Sequence, residues 1–395
     1  MTLLELVTRA SATPQTLTPH SYPITLNPDD SLLSLKPESD DIDSTSLVTK
    51  VGEFKLSSID TEIIALSSKF FGKLKKKVKN PNFDKDEFFE LLTSFLAKIG
   101  GKVGVSLEKC ENENGSGYTS QLVEKLGFCI GKDVLGLVLD ACVELEIWGL
   151  LKTVIVNKLV DYAYVSKLLA SLVEKKRSDL ICLCVKHFSD IRASDIYMIL
   201  GYFLSPPKGA FSTMNVVREE WEKQGLLATE KVSSGSVKGK KFQLAKDASI
   251  LLMMAHDGFT VSELCLHYLI ASPNFDEVVW SAPISRLNGK QMMSLIKYLG
   301  KWLNKFERFP EASPCLRASK TLGSEACDWV PSLERIVNCL GLVLDEHFPS
   351  MVLHPEFRDQ LLSVEPVVGS LALEARLCCS INNLLENLQT DGKGS

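Results

Sequence analysis

The chain has 395 residues, of which 45% are hydrophobic and 24% are charged, and its formal net charge at pH 7 is −5. This composition is typical of a globular protein with enough apolar side chains for a large core. The slight acidic excess argues against a surface coated in positive charge for nucleic acid, although it leaves room for local basic patches.

The cysteines and the apolar runs disfavour three further classes. The eleven cysteines include no CxxC pair and mostly fall in helical patterns, which favours a reducing cytosol or nucleus and disfavours a zinc site. No run of about 18 uninterrupted apolar residues is present, so no membrane-spanning helix is predicted. The N-terminus has no basic segment followed by an apolar core, which argues against secretion.

Residues 1–48 predict a disordered N-terminal segment. They contain five prolines, many serines and threonines and the acidic run ESDDID. They show no sustained hydrophobic period, so no packed element is expected there.

The hydrophobic period changes in residues 49–110, which we interpret as an N-terminal helical hairpin region. SSIDTEIIALSSKFFGKLKKKVK places six apolar side chains on one helical stripe. The second helix, EFFELLTSFLAKIGG, follows a turn in which Asp84 or Asp86 can accept from the free amides of the helix start. Its end is predicted at Gly100-Gly101, where a left-handed backbone costs little.

Lysines cluster at the end of the first of these helices, in FFGKLKKKVKN. Such a cluster is read by nuclear import receptors or contacts phosphate oxygens. The alternative is a solvated helix end, where lysine complements the negative end of the helix dipole and needs no partner. The members of this lysine cluster are Lys73, Lys75, Lys76, Lys77 and Lys79.

A long series of helical patterns fills residues 119–310, which we interpret as a helical-repeat body, and continues through a C-terminal helical region, 311–390. The connections are short and carry Asp, Ser, Gly or Pro, as helix hairpins require. No known fixed-length repeat is visible, and the one candidate strand pair lies around 227–244. We therefore predict an all-α fold, an irregular α-solenoid-like stack of antiparallel helix hairpins. The predicted helices are 119–130, 133–150, 154–175, 178–189, 193–204, 212–225, 247–256, 260–271, 289–306, 332–346 and about 355–388.

The segment SGSVKGKKF is predicted to be an exposed basic loop, with Lys238, Lys240 and Lys241. A Walker loop needs four residues between its glycines and a hydroxyl after the lysine, and this segment has neither. Nucleotide hydrolysis is therefore disfavoured, and a weak contact with RNA is the functional alternative.

The stretch LVLDEHFPSMVLHPEF gathers side chains that can bind metal or move protons. A zinc protease needs two histidines one turn apart on a continuous helix, but here Pro349 separates them and is expected to end the helix. His347 then falls in the last turn, where an imidazolium complements the helix dipole, and Glu356 opens the next helix. We therefore interpret the stretch as structural, and no catalytic residue, metal or cofactor is predicted. The candidate side chains are Asp345, Glu346, His347, His354 and Glu356.

The five tryptophans are spread along the chain and are interpreted as packing anchors. Trp302 and Trp329, together with Tyr298, are in addition predicted to be exposed contacts for a protein partner. Large aromatic side chains dominate the energetics of many protein interfaces, which is the reason for this choice.

Three stretches of the C-terminal third carry a family resemblance. They are the helix from Asn288 to Phe306, the segment VPSLERIVNCLGLVLDEHF with its aliphatic-Asp-x-His-Phe end, and the continuation from Val352 to Leu362. Together they resemble the C-terminal helical region of the nucleolar protein eleven family and its plant relatives. Weaker similarity extends back to about residue 178.

The resemblance implies a component of the small-subunit processome, which assembles on nascent pre-ribosomal RNA in the nucleolus and supports its processing. It implies other protein subunits of that complex as partners and no catalytic residues. Family members usually carry a β-propeller before the helical part, which this chain lacks, so a place in the complex that depends on the propeller does not follow.

We therefore expect a non-catalytic nuclear or nucleolar scaffold that binds proteins along its helical ridges, with minor contact to pre-ribosomal RNA through lysines. No membrane and no small-molecule substrate are expected. The first alternative is a cytosolic helical-repeat adaptor in trafficking or degradation, for which the lysine cluster is only a solvated helix end. The second is an enzyme of unrecognised type, against which no side-chain constellation with the required roles is visible.

Overall fold

The structure is a computed structural model that describes residues 56–105, 115–233, 239–310 and 325–391. These residues form fifteen α-helices and two short 3-10 helices and contain no strand, which confirms the predicted all-α fold. The α-helices are α1 (Ser58–Lys77), α2 (Lys85–Val103), α3 (Gly115–Leu126), α4 (Lys132–Glu144), α5 (Trp148–Val156), α6 (Tyr162–Glu174), α7 (Ser178–His187), α8 (Ala193–Leu204), α9 (Phe211–Ser233), α10 (Lys240–His256), α11 (Val261–Ala271), α12 (Glu277–Ser285), α13 (Gly289–Arg308), α14 (Leu333–Leu353) and α15 (Glu356–Asp391).

The contacts divide the chain into Met1–Ser57 and Ser58–Ser395, and all described helices belong to the second unit. The predicted disordered segment, 1–48, lies outside the described residues. So do residues 106–114 and the start of the predicted C-terminal region, 311–324.

The helices stack in two rows. Helices α1, α4, α6, α8, α12 and α14 pack side by side in one row, and α3, α5, α7, α9 and α11 form the other. Packing across the rows joins α4 to α5, α6 to α7 and α8 to α11. Helix α11 is buried all round from Leu264 to Ala271, as expected of a helix with neighbours on every side.

Buried cysteines behave as small apolar residues in this stack, as predicted. Cys142, Cys182, Cys184, Cys265 and Cys339 are all buried and unpaired. Burial raises the pKa of the Cys339 thiol to about 12, so the unreactive thiol form dominates at neutral pH.

The predicted helices 133–150 and 154–175 are wrong, because the chain turns twice within them to give α4, α5 and α6. The turns are centred on Glu146 and Lys158, and the turn between α6 and α7 is centred on Lys176. All three residues have a left-handed backbone, with φ of 53°, 54° and 55°. Each turn repeats one pattern, in which the amide after the left-handed residue reaches back to a carbonyl in the helix, as from Ile147 to Cys142 at 2.8 Å. None contains the glycine or proline that marks a turn in sequence, which explains the error.

Other parts of the prediction also differ from the structure. Helix α2 runs through Gly100-Gly101 and ends before Gly104, which has the left-handed backbone (φ 80°). The described parts of the candidate strand pair around 227–244 are instead the end of α9 and the start of α10, and residues 234–238 lie outside the described residues. Helix α12 was missed, and α14 continues seven residues past its predicted end at position 346, through Pro349 to Leu353. Of the two predicted caps of α2, Asp84 is the one that accepts from an amide of the first turn, and Ser332 caps α14 in the same way.

The left-handed turns provide a test of local strain. Replacing Lys158 by Gly relieves the steric cost of a left-handed L-residue, so we expect the free energy of unfolding to rise by about 0.5 to 1 kcal/mol. Lys158 is exposed and has no described ion pair, so little else changes. Lys152→Gly, at an exposed position inside α5, is the matched control and should lower it by about 1 kcal/mol. Urea denaturation of both variants checks the opposite signs, and equal losses would contradict the strain argument.

Candidate functional site

Two of the three predicted partner contacts are wrong, because Tyr298 and Trp302 are fully buried (0% exposed). They lie one turn apart on α13, on the same face as the buried Leu295, Leu299 and Phe306, and that face packs into the body. A helix with so wide an apolar face packs that face into the core of its own protein. Trp329 is half-buried, with its ring 6.0 Å from that of Tyr268, and it is not a free aromatic contact either.

Tyr298 and Trp302 pack against a buried histidine, His267 of α11. Its ring centroid lies 4.7 Å from that of Phe259 and 5.0 Å from that of Trp302. Its Nε2 lies 2.9 Å from the carbonyl oxygen of Ala255, and its Nδ1 lies 2.8 Å from the hydroxyl oxygen of Tyr298. Because a carbonyl only accepts, Nε2 donates, and Nδ1 accepts from Tyr298. Both ring nitrogens are therefore occupied in the neutral form.

Burial lowers the pKa of His267 to about 3, with the cation of Lys305 acting in the same direction and the Ala255 carbonyl opposing it. The imidazole is therefore a neutral bridge between helices. A proton on Nδ1 would reverse the bond with Tyr298 and place a charge in an aromatic core.

The stretch LVLDEHFPSMVLHPEF has structural roles, although they differ in detail from the prediction. His347 does not lie in the last turn of its helix, because α14 continues to Leu353. It is buried, and its Nε2 donates to the carbonyl of Ile284 at 2.7 Å, so it caps the end of α12 instead. Glu346 accepts from the hydroxyl of Ser281 at 2.6 Å, a second link between the same helices.

The continuation of α14 through Pro349 runs against the usual preference. A proline inside a helix removes one amide donor and costs about 3 kcal/mol. The last turn nevertheless buries Met351, and the first turn of α15 buries Phe357 after a connection of only His354 and Pro355. Burial of these two side chains opposes the cost. Because α14 continues through Pro349, its last turn forms part of the wall of a groove.

This groove, the α14–α15 groove, is a largely apolar concavity with a volume of about 720 Å³. Its floor includes the buried Leu340, Met351 and Val364. Its rim exposes large apolar side chains, among them Phe348 (64% exposed), Val352 (67%) and Leu353 (76%).

Helix α13 supports the groove from below. Gly300 of α13 faces α15 so closely that a Cβ there would lie 3.1 Å from Cγ2 of Val364. The small residue lets the two helices approach, and α15 rests on the same helix that carries Tyr298 and Trp302. The buried aromatic cluster therefore positions the groove without lining it.

Polar and charged side chains also line the groove. His354 lies in the connection, Arg358 lies in the first turn of α15, and Glu365 lies two turns further along. Arg358 and Glu365 are exposed, so each can meet an opposite charge of a ligand at the rim. The guanidinium of Arg358 favours an acidic group beside it.

The predicted lysine cluster is mostly accessible. Lys75, Lys76 and Lys77 form the last turn of α1. Lys77 is ion-paired with Glu87, and the ammonium of Lys75 lies 5.6 Å from the ring centroid of Phe71. The exposed members are Lys73, Lys75, Lys76 and Lys79. Nothing in this geometry separates an import signal from a solvated helix end, so the prediction stays a prediction.

The predicted basic loop is only partly a loop. Lys238 lies outside the described residues, and Lys240 and Lys241 begin helix α10. Gly239 precedes them with φ 65°, at the position where the helix starts. The prediction of a loop is therefore wrong for Lys240 and Lys241.

The described ranges contain no cluster of metal ligands and one helical stretch with the length and hydropathy of a membrane-crossing helix. No group of three or more His, Cys, Asp or Glu side chains there is arranged to hold a metal ion. This helical stretch is Ala326–Leu353, and 33% of its most apolar 18 residues are buried inside the protein. Core helices of soluble proteins also meet those criteria.

In comparisons with known proteins, no protein-family model matches the chain and no curated protein matches it in sequence.

The buried histidine makes stability depend on pH. Below pH 6.5 the unfolded chain binds a proton at His267 that the folded protein excludes down to about pH 3. The free energy of unfolding should therefore fall as pH is lowered through this window, by about 1.4 kcal/mol per pH unit. The loss should reach about 2 kcal/mol by about pH 5, and the full stability should be present above pH 7.

A His267→Gln variant should lose this dependence, because glutamine does not titrate. Urea denaturation at about pH 7 and about pH 5 measures the difference for each protein. His354→Gln, at an exposed position, is the control and should keep the dependence of the unchanged protein. Equal losses in all three proteins would show that His267 is not the titrating group.

Proposed function

We propose that this protein is a non-catalytic scaffold of nucleolar ribosome biogenesis, which supports pre-ribosomal RNA processing and small-subunit assembly. It does so by holding a helix of another protein in the α14–α15 groove. The observation that carries the proposal is the apolar rim of this groove, where Phe348, Val352 and Leu353 are mostly exposed. Exposed apolar side chains grouped around a concavity are typical of a protein interaction site.

The shape of the groove favours a helix as the ligand. Its walls are two helices joined by a two-residue connection, so a third helix can pack into the space between them with apolar side chains on one face. A cavity of about 720 Å³ has room for a few large side chains but not for a folded domain. The anchors of the partner are therefore expected at helical spacing, one turn apart.

The charges of the groove define the orientation of that helix. Arg358 places a positive charge on the groove near the α14–α15 connection. An acidic side chain of the partner placed there gains a charge-assisted contact at the rim, which contributes more to orientation and specificity than to affinity.

The nucleolar assignment is supported by the family resemblance and by its location in the fold. Two of the three stretches that carry the resemblance contribute to the groove, namely the end of α14 and the run from Val352 to Leu362. The accessible lysine cluster is compatible with nuclear import. The alternative of a cytosolic adaptor uses the same groove and treats the lysines as a solvated helix end, as the pairing of Lys77 with Glu87 allows.

The groove is tested by placing charge on its rim. In the double variant Phe348→Asp with Val352→Asp, carboxylates replace the apolar contacts, and we expect recovery of small-subunit precursor proteins with the tagged full chain to fall at least about tenfold. Val278→Asp is the matched control, because Val278 is 82% exposed and lies outside this groove. Quantitative mass spectrometry of the purified complexes measures the recovery, and circular dichroism confirms that helicity is kept.

Two results would contradict the proposed function. One is unchanged recovery of the precursor proteins with the double variant. The other is a co-purified set made of trafficking or degradation proteins, which would favour the cytosolic adaptor.

The lysine cluster is tested separately by localisation. Replacing Lys75 and Lys76 by Ala removes two exposed charges without touching the buried face of α1, so the fold should be retained. We expect a fluorescent fusion of the unchanged chain to concentrate in the nucleolus and the variant to spread into the cytosol. Lys152→Ala with Lys167→Ala, at exposed positions of α5 and α6, is the control. A nucleolar signal in both variants would assign the cluster to a solvated helix end.

A further inference from the structure

Helix α15 has apolar side chains on two opposite faces. At 100° per residue, one face is turned toward α13 and the other, here the outer face, is turned away from it. The face toward α13 contains the buried Phe357, Val364 and Val367 and the half-buried Leu371. The outer face contains Leu362, Leu373 and Leu377, and Ile381 lies beside it; all four are more than half exposed.

Nothing in the described part of the chain covers the outer face. Every side chain from Ala372 to Asn383 is exposed, so the helix extends past the body that supports its first half. The last element of a helical stack normally turns a polar face to solvent. Here that face is apolar, and a segment of about 12 residues has little helical stability without packing.

The charges beside this face complement each other only in an antiparallel pair. Glu365 and Arg376 are eleven residues apart, which is three turns, so they lie on the same side of the outer face. When two copies of α15 pack antiparallel about a two-fold axis, Glu365 of each copy lies opposite Arg376 of the other. The same register places Arg358 opposite the neutral Asn383, so no like charges meet there.

The apolar side chains interlock in that register. Leu377 of one copy lies between Leu362 and Pro366 of the other, and Leu373 lies between Pro366 and Ser370. Gly369 and Ser370 lie beside the axis, where small side chains let the helices approach. A Cβ added at Gly369 would meet no described atom within 4 Å, so the surface there is open.

We propose that a second copy of this chain covers the outer face, and that the protein is a two-fold homodimer joined by antiparallel α15 helices. The same patch then serves on both subunits, as a two-fold interface requires. This inference goes beyond the proposed function. The two surfaces share Leu362 and Glu365, which also line the α14–α15 groove, whereas Leu373 and Leu377 lie outside it. A variant at Leu373 and Leu377 therefore tests the dimer without altering the groove.

Sedimentation of the full chain between about 1 and about 100 µM tests the dimer. The unchanged protein should sediment at twice the monomer mass of 43.7 kDa. Leu373→Glu with Leu377→Glu should sediment as a monomer, and Val278→Glu, on an exposed site elsewhere, should remain dimeric. Far-ultraviolet circular dichroism of each variant serves as the folding control, and its helical signal should match that of the unchanged protein apart from the far half of α15.

Charge reversal tests the register and the identity of the partner. Glu365→Arg and Arg376→Glu each convert two attractive pairs into two repulsive ones, so each variant alone should dimerise with a Kd raised about tenfold. In an equimolar mixture of the two, both pairs are attractive again, and the mixed dimer should recover the Kd of the unchanged protein. A mass of 43.7 kDa at all concentrations, or a mixture no tighter than its components, overturns the proposal.

Discussion

The stack depends on burial that no helix achieves alone. Helix α5 has nine residues, too few to be stable in water by itself, yet it buries Leu150, Leu151, Val154 and Ile155 between its neighbours. Helix α11 is buried on all sides. Each helix is stabilised by the helices packed on either side of it, so the stability of the stack is a sum of nearest-neighbour contacts. A helix at either end of the stack has a neighbour on one side only.

The hydrophobic period located several helices well. Helices α7 and α8 begin where predicted, although neither start has a side-chain cap, and Asp84 caps α2 as expected. The failures have physical causes of two kinds. Glu146 and Lys158 adopt a left-handed backbone without the residue type that usually does so, and tertiary burial carries α14 through Pro349.

The site was harder to predict, because an aromatic residue at helical spacing serves equally well in a core or in an interface. Tyr298 and Trp302 were assigned to the wrong one of these, since α13 has a single wide apolar face and this face packs on the body. Nothing in the sequence marked Phe348 and Val352 as exposed residues of a groove rim, because apolar residues near a helix end are also typical of a buried core. Only the turn at His354 and Pro355 leaves them uncovered, and the exposure that results is a tertiary property that the local pattern does not contain.

In the far half of α15, residues 372–383, helix formation depends on association with another protein. Its residues lose conformational entropy whenever they wind into a helix, and from Ala372 to Asn383 they recover little of it from packing within one chain. A protein that covers Leu373 and Leu377 therefore supplies the free energy that keeps this segment helical, and the ordering cost is subtracted from its binding affinity. An assembly built on such a helix is therefore weaker than its contact area alone suggests.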